Sequence, residues 1–174
     1  PMSTTRRWRE NWLALASFAA TTDLILWPAL ARFGEVSYTT ADLSQAYSLT
    51  LTGPLLRPGN AQLSDPVVEM LPWLEFNASE LAAGRLPTWN PYNGAGVPHL
   101  ANYQSAVFSP FSLFHYVAPL KWALLLTAFA KLLVSGFATY LFLRALGLGA
   151  LAACAGGVVY QFGGASRVFA GVKF

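Results

Sequence analysis

The chain has 174 residues, 55% of them hydrophobic and only 11% charged, against roughly 25% charged in soluble domains. That composition and a mean hydropathy of +0.42 point to a membrane protein. The formal net charge of +3 is spread over both ends of the chain and builds no basic face, which excludes nucleic acid as a partner.

Residues 1–10 carry Arg6, Arg7 and Arg9 ahead of the apolar run "NWLALASFAATTDLILWPALARF", residues 11–33. About 20 apolar residues cross a bilayer, so 11–33 reads as a first transmembrane helix. A cleaved signal peptide fits less well, because the run exceeds the usual apolar core, contains Asp23 and lacks a small-residue cleavage site.

Residues 34–119 form the first loop. Six of the eight acids in the chain lie here, facing only Arg57 and Arg85. The arginines before the first span and Arg144 after the second then put the N-terminus in the cytoplasm and this loop outside. A connection this long should hold structure of its own. "TGPLLRPGN" marks turns. "LSDPVVEMLPWLEF" has helix grammar, with Ser64 or Asp65 as cap, Pro66 at the first position and an apolar stripe of Val67, Met70, Leu71 and Leu74. Pro72 is expected to kink or split that helix.

A second short helix fits Ala78 to Ala83, capped by Asn77 and closed by Gly84. Capping also accounts for "NAS", which otherwise matches a glycosylation signal. These apolar-striped helices would lie in the membrane surface.

The stretch "LPTWNPYNGAGVPHLANYQSAVFSPF" breaks the greasy composition with turns at Asn90-Pro91, Asn93-Gly94 and Val97-Pro98. Trp89, Tyr92 and Tyr103 offer flat faces, while Asn90, Asn93, Asn102 and Gln104 offer paired donors and acceptors. Such a set suits a sugar; the same aromatics also suit a membrane interface. Asp65 and Glu69 share a helical face. Either can act as a general base, and together they can hold a divalent cation, although an aspartate before proline is also an ordinary cap. Arg57 and Arg85 can meet a phosphate or lipid headgroup. His99 and His115 match no local metal-ligand spacing and read as polar surface residues.

Residues 120–146 make a second span, and the glycine-rich residues 147–164 a shorter third, with residues 165–174 beyond it. Lys131 lies about 20 Å from Arg144, and Asp23 about 18 Å from Asn11, at 1.5 Å per residue. At matching depth in antiparallel helices, the two should face each other or a shared polar cavity. Ala152 with Gly156 and Ala153 with Gly157 stand at a spacing that lets helices approach closely. Cys154, the one cysteine, reads as a small packing residue. The fold class is all-α: about three transmembrane helices and a large external loop carrying amphipathic helices.

Asp65, Leu71-Pro72, Gly84 to Pro87, Trp89-Asn90-Pro91, Gly94 to Gly96, Ala101-Asn102, Gln104 and Ser109-Pro110 occur in the order seen in the first external loop of YfhO-type bacterial membrane proteins. The resemblance covers roughly residues 60 to 165, departing at Thr88, where an apolar residue is usual, and at Glu69, where glutamine is common. That family resembles the GT-C class of multi-span glycosyltransferases. The resemblance implies the N-terminal part of a GT-C-like fold in the bacterial plasma membrane, working on its outer face. It further implies a polyprenyl-phosphate sugar donor, an envelope glycan or lipid acceptor, and Asp65 as base. Two other functions fit the composition: a flippase or transporter of lipid-linked sugars using Asp23 and Lys131, or a non-catalytic assembly factor.

Overall fold

The computed structural model describes residues 4–31 and 69–163. Asp65, Arg57, the expected cap and the residues after 163 lie outside the described residues. Five α-helices are described: α1 (Thr4–Ala31), α2 (Leu71–Ala82), α3 (Leu113–Val117), α4 (Leu120–Ala145) and α5 (Ala150–Phe162). The two strands are β1 (Trp89–Asn90) and β2 (Val97–Pro98). The chain separates into two units, residues 1–35 with 128–174 and residues 36–127, the boundary falling inside α4.

In the first unit, α1, α5 and the C-terminal part of α4 share a core of Ala14, Phe18, Tyr140 and Ala153. Phe18 meets Phe137 and Tyr140 at ring separations of 6.5 and 6.2 Å. The small residues allow the close approach expected of them in both rows at the glycines, a Cβ on Gly156 running into Leu143 Cδ1. Ala153 is fully buried, and a Cβ on Gly157 would lie 2.6 Å from the Phe18 ring and 2.7 Å from the Gly136 carbonyl oxygen. Ala152, in the other row, is exposed.

A polar knot sits among these apolar faces. Gln161, fully buried, donates from Nε2 to Thr22 Oγ1 at 3.1 Å and to the Leu132 carbonyl at 3.0 Å. Its Oε1 accepts from Thr21 Oγ1 at 2.7 Å. One residue thus ties three helices while leaving its own amide satisfied, as a buried side-chain amide requires. At the arginine-bearing end, Arg144 Nη2 meets Glu10 Oε2 at 3.1 Å and the Tyr140 hydroxyl donates to Asn11 Oδ1 at 3.1 Å.

Among the described residues one helix, Trp122–Ala145, is long and apolar enough to cross a membrane. Helix α1 is longer, at 28 residues, with Arg7, Arg9 and Glu10 ahead of its apolar run and Asp23 within it. Helix α5, at 13 residues, rises about 20 Å and falls short of the roughly 30 Å hydrocarbon core.

The pairing expected of Asp23 and Lys131 is not formed: the ion pairs among the described residues are Glu80–Arg85 and Glu10–Arg144, and both Asp23 and Lys131 are exposed. The reason is helical phase. Asp23 follows the buried Phe18 by five residues, about 140° around α1, and Lys131 is about 100° around α4 from the buried Leu132. Residue counts carry no information on facing.

In the second unit the loop departs from its expected layout. Leu71–Ala82 is one continuous helix where a separate helix over Ala78 to Ala83 was expected. Residues 69–70 before it are helical in a wider turn, and Pro72 stands at the boundary, in the first turn of α2, where proline is tolerated. Gly84 does close the helix: at φ +70° its N–H reaches the Leu81 carbonyl while the Arg85 N–H reaches Glu80. The buried residues of α2 are Trp73 and Asn77, whereas Met70 of the expected stripe is 40% exposed. Asn77 is therefore no cap. Fully buried mid-helix, with both amide atoms engaged, it also has no surface to offer a glycan. Val97-Pro98, expected as a turn, is instead β2, pairing antiparallel with β1 in the register Trp89↔Pro98 and Asn90↔Val97.

Candidate functional site

The Asn90 to Gly94 turn faces the α2 helix across a cleft of about 740 Å³, within the usual 300–1,000 Å³ range of ligand sites. One wall is a helical face: Glu69, Pro72, Trp73, Glu75, Phe76 and Ser79 recur at the three- and four-residue spacing that shares a side. The other wall is the hairpin turn, with Asn90, Tyr92, Asn93 and Gly94. The cleft thus brings together Glu69, expected from the helix, and three of the residues expected from the aromatic–amide stretch.

The turn chemistry explains how that second wall is held. Asn90 is 3% exposed, and its Oδ1 accepts from the Tyr92 N–H at 2.9 Å, an Asx turn of the kind asparagine favours before proline. Tyr92 is turned outward and meets Phe76 edge-on with ring centroids 6.0 Å apart, an arrangement aromatic quadrupoles favour. Behind the cleft, Phe76 also meets the His99 ring at 4.9 Å.

His99 is the backing of the site, and the expectation of a surface histidine is corrected: it is 1% exposed. Its backbone N–H donates to Thr88 next to β1, and its Nε2 lies 2.7 Å from Asn77 Oδ1. Asn77 Nδ2 in turn donates to the Ser105 carbonyl at 2.7 Å. That second bond fixes which end of the Asn77 amide faces His99, so Nε2 must carry the proton and Nδ1 be the bare nitrogen. Among the described residues Nδ1 is buried without a partner, and burial pushes the imidazole below the ordinary histidine range. The neutral ring is the form this place accepts.

The remaining expected residues lie away from the cleft. Trp89, half-exposed, folds its indole over Gly96, whose φ is +97° and where any Cβ would lie 2.5 Å from Nε1. Asn102 caps the 3-10 turn Tyr103–Ser105 by accepting from the Gln104 N–H. Tyr103 is 98% exposed, and Gln104 is exposed beside it. Arg85 is already committed: its Nε and Nη2 grip both oxygens of Glu80 at 2.9 and 2.6 Å, and those bonds hold the Glu80 carboxyl below its ordinary range.

Sequence reading missed Glu75, Phe76, Ser79, Asn77 and His99. The first three were open to it as the continuation of the Glu69 face. No group of three or more His, Cys, Asp or Glu among the described residues is arranged to hold a metal ion. No family model, curated protein or solved structure matches the chain, so what the site can do follows from its own side chains: aromatic faces, amides and carboxylates around one opening.

Proposed function

We propose that this chain forms part of an integral-membrane glycosyltransferase of the GT-C-like class, with the cleft between α2 and the hairpin as its carbohydrate site. The donor is a polyprenyl-phosphate sugar, the acceptor a glycan or lipid of the bacterial envelope, and the reaction takes place on the outer face of the plasma membrane. Asp65, four residues before Glu69, is the general base. It takes the proton of an acceptor hydroxyl, the oxygen attacks the anomeric carbon, and the carbon–oxygen bond to the lipid phosphate breaks with its electron pair leaving on the phosphate.

The observation that carries this reading is the meeting of Glu69 with Asn90, Tyr92 and Asn93 around one opening. Aromatic and amide groups suit the apolar faces and hydroxyl edges of a sugar, and the Glu69 carboxylate at the same opening can accept a hydrogen bond from a hydroxyl. The membrane part of the reading draws on α4 and on α1, where Trp8 and Trp27, 65% and 64% exposed, stand about 28 Å apart along the axis. Tryptophans belong at both edges of a bilayer at that separation. The flippase reading loses its main support with the unformed Asp23–Lys131 pair.

The test is sugar transfer by the complete protein in proteoliposomes, given candidate polyprenyl-phosphate sugars. Asp65→Asn should lower the rate at least about 100-fold, the low end of general-base contributions, and Asp23→Asn should leave it unchanged. The reverse pattern would move the function to transport.

A further inference from the structure

We propose that the first unit associates with a second copy of itself in the membrane, Asp23 of one copy meeting Lys131 of the other; the carbohydrate reading is not needed for it. Helices α1 and α4 are antiparallel, since Glu10 pairs with Arg144 at one end and Gln161 bridges Thr22 to Leu132 further along. Asp23 and Lys131 each stand one residue past that bridge, both about 20 Å from the Glu10–Arg144 pair at 1.5 Å per residue. They therefore share one level. Lys131 also lies within Trp122–Ala145, the helix long and apolar enough to cross a membrane, about 14 Å from Trp122. That level is inside a hydrocarbon core of roughly 30 Å.

Both side chains are exposed. Among the described residues the ion pairs are Glu80–Arg85 and Glu10–Arg144, which leaves this aspartate and lysine unpaired. A lone charge at that depth is expensive. The lysine stem can reach toward a headgroup, but the aspartate side chain is too short for that. Around them the outer faces are apolar: Trp27, one turn after Asp23, and Val134, three residues after Lys131, are more than half exposed. To neutralise both charges, the occupant of these faces has to carry a cation and an anion at the depth of their opposites. A second copy does so without adjustment, because identical chains in one membrane share orientation and depth, and like chains are the commonest partners in symmetric assemblies.

The experiment is energy transfer between full chains labelled at the N-terminus with donor or acceptor dyes and reconstituted in phosphatidylcholine–phosphatidylglycerol liposomes. The unaltered chain should self-associate. Asp23→Asn or Lys131→Gln should each weaken that association about tenfold, the scale of a polar contact between helices in lipid. Asp23→Lys alone and Lys131→Asp alone should abolish it, each placing like charges in contact. Mixed in equal amounts, these two variants should associate as well as the unaltered chain, since every contact then joins opposite charges. Carbodiimide treatment of mixed isotopically light and heavy unaltered chains should link Asp23 to Lys131 between copies. A monomeric unaltered chain, single variants that associate normally, or a mixture no better than its parts would overturn the proposal. So would a Lys131 link formed within one copy or to a different protein.

Discussion

Asn77 Oδ1 stands 2.7 Å from His99 Nε2 across 22 residues of sequence, and this contact joins the two walls of the cleft. Asn77 belongs to α2. His99 follows β2, with its backbone tied to Thr88. Because Asn77 Nδ2 is anchored on Ser105, the contact also imposes one tautomer on His99.

Asn77→Ala should destabilise the unit by about 1–3 kcal/mol for each buried group left unpaired. Two groups are stranded, the Ser105 carbonyl and the His99 Nε2–H. Denaturant unfolding followed by tryptophan fluorescence would report it, Trp73 lying against His99 at 6.4 Å. An unchanged midpoint would mean that the contact holds nothing together.

The His99 imidazole gives stability a pH dependence of defined sign. Its folded value lies below the ordinary 6.5, so in that window the unfolded chain binds more protons than the folded one. Stability is then complete above pH 6.5 and falls as pH drops from there towards the lowered value, with a slope of at most about 1.4 kcal/mol per pH unit for one proton. Melting temperatures between pH 7.5 and 5 would show the fall, and His99→Gln should flatten it. An identical slope in that variant would assign the effect to another group.

Gly96→Ala should cost stability on two counts. Its φ of +97° is strained for any L side chain, and the new methyl would meet the Trp89 indole at 2.5 Å. The left-handed conformation alone costs about 1–2 kcal/mol, so a midpoint shift of at least that size is expected. Trp89 fluorescence should change as the ring is displaced. No shift in either would contradict the hairpin geometry.

Gly157→Ala tests the first unit in the same manner. The added Cβ has the Phe18 ring on one side and the Gly136 carbonyl on the other, and a helix backbone cannot give way cheaply. Overpacking of this kind costs about 1–3 kcal/mol. Ala152→Leu, at an exposed position, should be tolerated. Thermal unfolding in micelles would separate the two.

What was legible in the sequence was local. The apolar run foretold α4, Gly84 ended α2, and the spacing of Ala153 and Gly157 marked a close helix contact. The turn residues Asn90 and Asn93 led to the cleft. What escaped depended on distance or phase. Asn77 has the letters of a cap, and only contact with His99 and Ser105, far along the chain, draws it into a helix interior. Asp23 and Lys131 are turned off the packed faces, which residue counting does not reveal. Trp89 is spent on its own hairpin because Gly96 leaves it room. Glu75 could have been found by extending the Glu69 face one turn.

The most direct measurement is photo-crosslinking of the complete protein in membranes with a polyprenyl-phosphate sugar bearing a diazirine on its ring, mapped by mass spectrometry. Labels on peptides spanning 69–79 and 89–94, lost on competition with unlabelled donor and weakened by Asn90→Ala, are the expected result. Labelling confined to α1, α4 or α5, with the cleft untouched, would contradict a carbohydrate site between α2 and the hairpin.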